Sequence, residues 1–275
     1  MVKRKAKISA PGKLIISGEH SVVYGYPAIV SAINRRLVIN AEYKVDSDIP
    51  IGCGMGSSAA YAVALAGLKM RLNGKLLDQE KICSQAYTME KQRHGNPSGV
   101  DNTVCTYGGV VWYRKEVENF KTFSKINARK KLPTLLIHNT GQPAETTKDM
   151  VQMVGKLYKK SPKRIDRVWR EMEEVTRGFL KFLMGEGGDL LELISENERR
   201  LEELAVVSQT TKTLVNKIEQ IGGAAKISGA GGKHSNSGII LLYHADMEKL
   251  KHFLGKNKLE TFQVKMGEEG VRDEK

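Results

Sequence analysis

Gly52, Gly54 and Gly56 alternate through the segment PIGCGMGSSAA at residues 50–60, and Ser57 and Ser58 follow directly. That pattern suits the holding of phosphate. Glycines lack the Cβ that would crowd an anion, so successive main-chain N–H groups, those of Cys53 and Met55 among them, can turn toward it. A helix opening at Ser57 would add unpaired N–H groups, the positive end of its dipole and two hydroxyls. Cys53 reads as a small filler of the loop, not as a nucleophile. Two further glycine segments lie at 10–28 and 226–232, the second carrying Gly229 and Gly231. One such cluster is ordinarily a turn; three in one chain, two of them bordered by acidic or hydroxyl residues, point to a phosphorylated ligand and so to a kinase. The GxxxxGK[ST] loop is absent, and GCGMG lacks the third glycine spacing and the acidic partner of a dinucleotide site.

Each candidate acid, base or ligand has a plain alternative. Asp101, after Pro97, Ser98 and Gly99, reads by itself as a base or as a helix-start residue. Lys13, just past Pro11 and Gly12, would in most chains be a solvated lysine. Glu90 could pair with Lys91 or Arg93 at the surface, and Glu19 beside His20 is ordinarily a hydrogen-bonded pair. Thr147 competes with its neighbour Thr146.

These residues need a frame. Strand signals fall at 6–9, 14–17 and 37–45, and helical spacing at 57–72 and 78–92, the latter stopped by His94, Gly95, Asn96 and Pro97. A short helix at 98–106 and an apolar strand at 110–113 follow. The chain turns polar and basic at 125–131 before a new apolar strand at 134–138, which sets a boundary between a domain at 1–130, holding the glycine loop, and one at 131–275. The second part carries apolar residues at helical spacing in 147–158, 165–184, 189–205 and 210–221. It closes with strands at 225–228, 238–243 and 261–265 and a helix at 247–254. The whole is an α+β plan, not a doubly wound sheet.

With 275 residues and 40% hydrophobic content, the chain can bury a full core without staples. Its three cysteines, Cys53, Cys83 and Cys105, form no CxxC pair and cannot all be bonded to one another, so a reducing, cytoplasmic setting is expected. No apolar stretch reaches the roughly 18 residues a membrane span needs. The formal charge of +13 attracts anions, nucleic acid among them. Aromatic content of only 6%, with no RNP-like strand, zinc spacing or basic heptad, argues against nucleic-acid binding.

The segments APGKLIISGEHSVVYGYPAIVSAINRR at 10–36, PIGCGMGSSAA at 50–60 and AKISGAGG at 225–232 resemble the three motifs of the GHMP small-molecule kinases. Within that superfamily GEHSVVYGYPA is most similar to the mevalonate kinases, and the likeness continues through MEKQRHGNPSGVDNTVCTYGG at 89–109 and NTGQPAETTK at 139–148. The resemblance implies a two-domain fold: an N-terminal ribosomal-protein-like α+β domain and a C-terminal ferredoxin-like domain with added helices. It implies transfer of the γ-phosphoryl of ATP, with Mg2+, to the primary alcohol of mevalonate, a step of isoprenoid biosynthesis. By the same resemblance Asp101 is the base that takes the hydroxyl proton late in a loose transition state, with Lys13 beside it and both touching substrate. Glu19, His20 and Thr147 would also bind substrate. Gly52, Cys53, Gly54, Met55, Gly56, Ser57, Ser58, Gly229 and Gly231 would bind ATP, and Ser58 with Glu90 would ligate Mg2+. Homodimers are common in the family. A related GHMP kinase for another small alcohol and a catalytically weakened binding protein are the alternatives.

The chain departs from the mevalonate-kinase pattern twice. Arg36 and Pro50 are fourteen positions apart, where the family carries a longer segment that helps enclose the nucleotide base. The expected consequence is one strand at 37–45 fused from two, and a raised KM for ATP. After GAGG, Lys233, His234, Ser235 and Asn236 precede Gly238, and this longer loop is expected to approach the phosphates with Lys233 adding charge.

Overall fold

The computed structural model describes residues 6–95, 97–130 and 132–274. The N-terminal lysines and arginine up to Lys5, Asn96 in the helix-stop segment, and Lys131 at the expected boundary lie outside them. Strand β1 (Lys7–Ser17) is continuous where the sequence suggests two pieces. Pro11 has no N–H for the ladder, and the antiparallel pairing with β2 (Ala28–Asn40) shifts register between Pro11 and Lys13. The strand passes through this irregularity without ending, and Lys13 leaves it with its N–H bonded to Met55 O at 2.9 Å.

The expected strand at 37–45 is corrected. β2 stops at Asn40, whose Oδ1 accepts from the N–H groups of Glu42 and Lys44, and Tyr43 turns at a φ of 62°. β3 (Val45–Ser47) then pairs back on β2, so the short connection is a hairpin.

Helix α1 (Ser57–Leu72) matches its expected span and lies against β1 and β2. Its alanines 59, 60, 62, 64 and 66 are all buried, giving a helix apolar on nearly every side that small side chains allow to sit close to its neighbours. α2 (Gln79–His94) begins at Asp78, whose carboxylate accepts from Lys81 N–H. α3 (Val100–Tyr107), β4 (Val110–Val117) and β5 (Phe120–Lys125) complete the first half. The second strand of the β4–β5 hairpin carries no sequence signal, because its residues are mostly exposed.

In the second half, β6 (Leu136–Asn139) is followed by α4 (Thr147–Lys160), α5 (Pro162–Met184), α6 (Leu190–Glu203) and α7 (Gln209–Gln220). α5 buries Ile165, Val168, Trp169, Met172, Val175 and Phe179, the helical spacing visible in the sequence. Trp169 stacks on Tyr24 with ring centroids 5.1 Å apart, joining this helix to the turn at Ser21–Tyr24. Then come β7 (Ala224–Ser228), β8 (Ile239–Tyr243), α8 (Met247–Lys256), β9 (Thr261–Phe262) and β10 (Arg272–Asp273). β9 is shorter than the expected 261–265.

Two antiparallel sheets result. One has the order β10-β1-β2-β4-β5 with β3 on β2, and the other β7-β8-β6-β9. Strands and helices are therefore segregated as the α+β reading requires. The last strand leaves the second sheet's neighbourhood and pairs with β1 at Ile8 and Ser9.

α4 starts with a reciprocal cap: Thr146 Oγ1 accepts from Asp149 N–H, and the Asp149 carboxylate accepts from Thr146 N–H. Thr146→Ala should lower stability by about 1 kcal/mol. A urea midpoint equal to that of the wild type would contradict the cap's role.

Candidate active site

A cavity opens where the end of β1, the glycine loop, the N-termini of α1, α3 and α4, and the loop after β7 converge. Lys13, His20, Gly52, Gly54, Gly56, Ser57, Ser58, Glu90, Asp101, Thr147 and Gly229 all line it. Residues more than 200 positions apart in the chain thus share one surface.

Lys13 Nζ stands 3.3 Å from Asp101 Oδ1, with the lysine side chain 3% exposed and the aspartate 36%. An ammonium so far out of water needs a counter-charge, and Asp101 supplies it. That same Oδ1 is buried and accepts no hydrogen bond. Asp101 is the second residue of α3, whose cap position belongs to Gly99, so its carboxylate does not cap the helix.

The glycine loop is pressed between both sheets. A Cβ on Gly54, which has a φ of 96°, would lie 2.6 Å from Ser228 O, and one on Gly56 would lie 2.7 Å from Lys13 Cγ. Only glycine allows these approaches. The loop is stitched on one side by the Lys13 N–H to Met55 O bond and on the other by Ile239 N–H to Cys53 O, both 2.9 Å. The Cys53 and Met55 side chains are buried in the core and do not line the cavity. α1 then begins with no acidic residue in its first turn, leaving the positive end of a 16-residue helix facing the cavity.

Ser58 Oγ donates to Glu90 Oε1 at 2.5 Å and accepts from Arg93 Nη1 at 3.0 Å. A hydroxyl and a nearly buried carboxylate from two helices give hard oxygen donors at the cavity edge. No group of three or more His, Cys, Asp or Glu placed to hold a metal occurs among the described residues. One hydroxyl and one carboxylate oxygen fit the needs of a hard cation such as Mg2+, which keeps waters and shares its shell with phosphate oxygens.

His20 stands at a φ of 60° with its Nε2 3.0 Å from Ala230 O. Burial pushes its pKa below the ordinary histidine value, which keeps the ring neutral near pH 7. Thr147 lines the cavity, whereas Thr146 is committed to its cap, which separates the two competing threonines. Glu19 and Gly231 do not line the cavity. Glu19 is fully buried and bound to Lys226 and Asn197, and a Cβ on Gly231 would meet Val206 O at 2.1 Å. Lys233 is also away from it: the N–H groups of Lys233 and His234 donate to Glu145 Oε1, which holds the 233–236 loop against the segment before α4.

Sequence reasoning missed Lys226, Asn197 and Ser228. Ser228 Oγ accepts from Ile15 N–H at 3.0 Å and approaches Ile15 O at 3.1 Å, tying β1 to β7. For Lys226 a local signal existed: a lysine within the otherwise apolar strand AAKIS. Val22, Val23 and Val151 add an apolar wall to the cavity.

The family model for the GHMP kinases N terminal domain matches residues 23–109. A mevalonate kinase of Archaeoglobus fulgidus is 30% identical to this chain over 97% of it and 99% of the relative. One from Aeropyrum pernix is 29% identical over 98% and 99%. Among solved structures, the L. major mevalonate kinase in complex with R-mevalonate superposes with a TM-score of 0.77 at 22% identity, over 94% of each chain. That of Methanococcus jannaschii gives 0.73 at 22% identity, over 95% of this chain and 98% of its own. At such identities the structures speak to the fold.

Two outcomes follow from the site's geometry. Gly54→Ala should lower stability by about 1–3 kcal/mol, because its Cβ would be strained at this φ and pressed on Ser228 O; an unchanged urea midpoint would contradict the close packing. Burial pushes the Glu198 carboxyl up to about 8, so the folded state holds a proton that the unfolded chain releases above its ordinary value of 4.5. Stability should therefore fall as pH rises between those values, and Glu198→Gln should flatten that fall. A urea midpoint with the same pH slope in both proteins would refute it.

Proposed function

The chain belongs to the mevalonate kinase family of the GHMP kinases, and we propose that it transfers the γ-phosphoryl of ATP to the primary hydroxyl of mevalonate, giving 5-phosphomevalonate and ADP. The observation that carries this reading is the Lys13–Asp101 pair facing the glycine loop and the N-terminus of α1 across one cavity. Phosphoryl transfer asks little covalent chemistry of a protein; it asks for position and for charge where charge develops.

In this reading the loop at Gly52, Gly54 and Gly56, the first N–H groups of α1, and Gly229 cradle the phosphates. The acceptor hydroxyl sits against the exposed part of the Asp101 carboxylate, whose buried Oδ1 faces Lys13. Asp101 takes the hydroxyl proton as the new P–O bond forms, and Lys13 offsets the negative charge on the attacking oxygen. His20, Thr147 and the valine wall hold the rest of the alcohol. Ser58 and Glu90 would hold Mg2+, which when bound neutralises phosphate charge. Arg93, bonded to Ser58, adds positive charge at the same edge.

We further propose the division into domains 1–130 and 131–275, a reading supported by the two separate sheets, with the last strand crossing back to β1. A cytoplasmic setting agrees with the free cysteines. No described helix is long and apolar enough to cross a membrane.

ADP release with Mg2+ and ATP should occur with mevalonate and not with phosphomevalonate, galactose or homoserine. Turnover on none of the four would defeat the kinase reading, and turnover on another alcohol alone would reassign the substrate. Glu90→Gln should raise the Mg2+ concentration for half-maximal rate about tenfold or more, matched by weaker Mn2+ binding to the ATP complex in electron paramagnetic resonance. Equal Mn2+ affinity would remove Glu90 from the cation site.

A further inference from the structure

Glu19 immediately precedes the cavity residue His20, yet its carboxylate points into the protein. It meets Lys226, and both side chains are 0% exposed. Lys226 Nζ donates to Glu19 Oε1 at 2.5 Å and to Ile227 O at 2.7 Å, with Ile15 O at 3.5 Å. The other Glu19 oxygen accepts from Asn197 Nδ2 at 3.1 Å, and Asn197 Oδ1 accepts from Ser17 Oγ at 2.7 Å. Ser17 in turn shares a hydrogen bond with Thr176. The neighbouring Glu198, which accepts from Ile227 N–H, is held protonated by burial. Lys226 has one ion-pair partner among the described residues, Glu19.

Stability alone does not explain such a pair. Drawing two ions out of water costs several kcal/mol each, and an apolar pair of equal volume is often as stable or more so. The geometry suggests what the pair does. β1 ends at Ser17, and the chain must then turn through Gly18 at a φ of 95° and His20 at 60°. A histidine in the left-handed region persists only where its surroundings hold it. Besides the turn's own hydrogen bonds and the Asn197 bond to Glu19, two grips tie it to one segment: the Glu19 side chain is bound to Lys226, and His20 Nε2 is paired with Ala230 O four residues later.

We propose that Lys226 is a positioning residue which, through Glu19, fixes His20 against Ala230 as the acceptor-side wall of the cavity. The assignment rests on the reading that this cavity takes the alcohol. Lys13, Ser58, Glu90 and Asp101 stand on other parts of β1 and on α1, α2 and α3, so they keep their places when the pair is broken. The signature is a loss in acceptor binding that the chemical step does not share.

The test uses the full chain as wild type, Lys226→Met and Glu19→Gln. It measures KM for mevalonate, kcat, and amide hydrogen exchange without ligands. The expected result is a KM raised about tenfold or more with kcat within about threefold, the pattern of lost uniform binding. Exchange should quicken at 18–24 and 229–232 while α1 and α3 keep their protection. Should Lys226→Met fail to fold, Glu19→Gln decides, since it removes the charge while keeping the size of the side chain. Wild-type KM with wild-type exchange at 18–24 would overturn the proposal, as would faster exchange across the whole chain with kcat and KM both degraded. If the wild type itself turns over no alcohol, the kinase reading fails, and the exchange at 18–24 still decides whether the pair holds the turn.

Discussion

The ion pair between Lys13 and Asp101 is the interaction on which the rest of the site depends. Lys13 leaves a strand interior, where an unpaired ammonium would be costly, and Asp101 stands at the start of a helix 88 positions later. Bringing them within 3.3 Å requires the register shift in β1, the tight turn at Gly99 and a glycine at position 56 to make room for the Lys13 stem. None of these features is needed for a stable sheet. Together they place a paired, partly exposed carboxylate at the wall of one cavity.

The glycine loop has a structural duty besides the proposed one of facing an anion. It is the seam between the two sheets, with its carbonyls bonded to β1 on one side and β8 on the other. Gly54 lies against the backbone at the end of β7, close enough to exclude a side chain from either surface. In the proposed reading, phosphate binding and the joining of the two halves are coupled through the same backbone. The buried polar chain from Lys226 through Glu19 and Asn197 to Ser17 and Thr176 runs behind this seam, from β7 to α6, β1 and α5.

Much of this was legible in the residues. The alanine-rich run after the loop predicted α1 to the residue, and periodic apolar positions found α5 and α6 within a few residues. Motif resemblance brought Lys13, Ser58, Glu90 and Asp101 to one site, which no local spacing could do. The misses have physical causes. The first half of β2 is buried on both faces, so Ala28–Ile33 shows no alternation. The hairpin after Asn40 depends on a side chain folding back on its own backbone, a signal that strand propensity overrides. Motif resemblance assigned Glu19 to substrate; its carboxylate instead meets Lys226, 207 positions away, which no local pattern in either segment could show.

We propose that Asp101, held by Lys13, takes the proton from an alcohol during phosphoryl transfer. Rapid-quench single turnover of a preformed complex of enzyme, magnesium ATP and mevalonate tests it most directly, comparing wild type with Asp101→Asn. The variant should bind both ligands with near wild-type affinity, and its transfer step should be slower by about 10²- to 10⁴-fold, the usual contribution of a positioned base. A variant that transfers phosphate at the wild-type rate would contradict it.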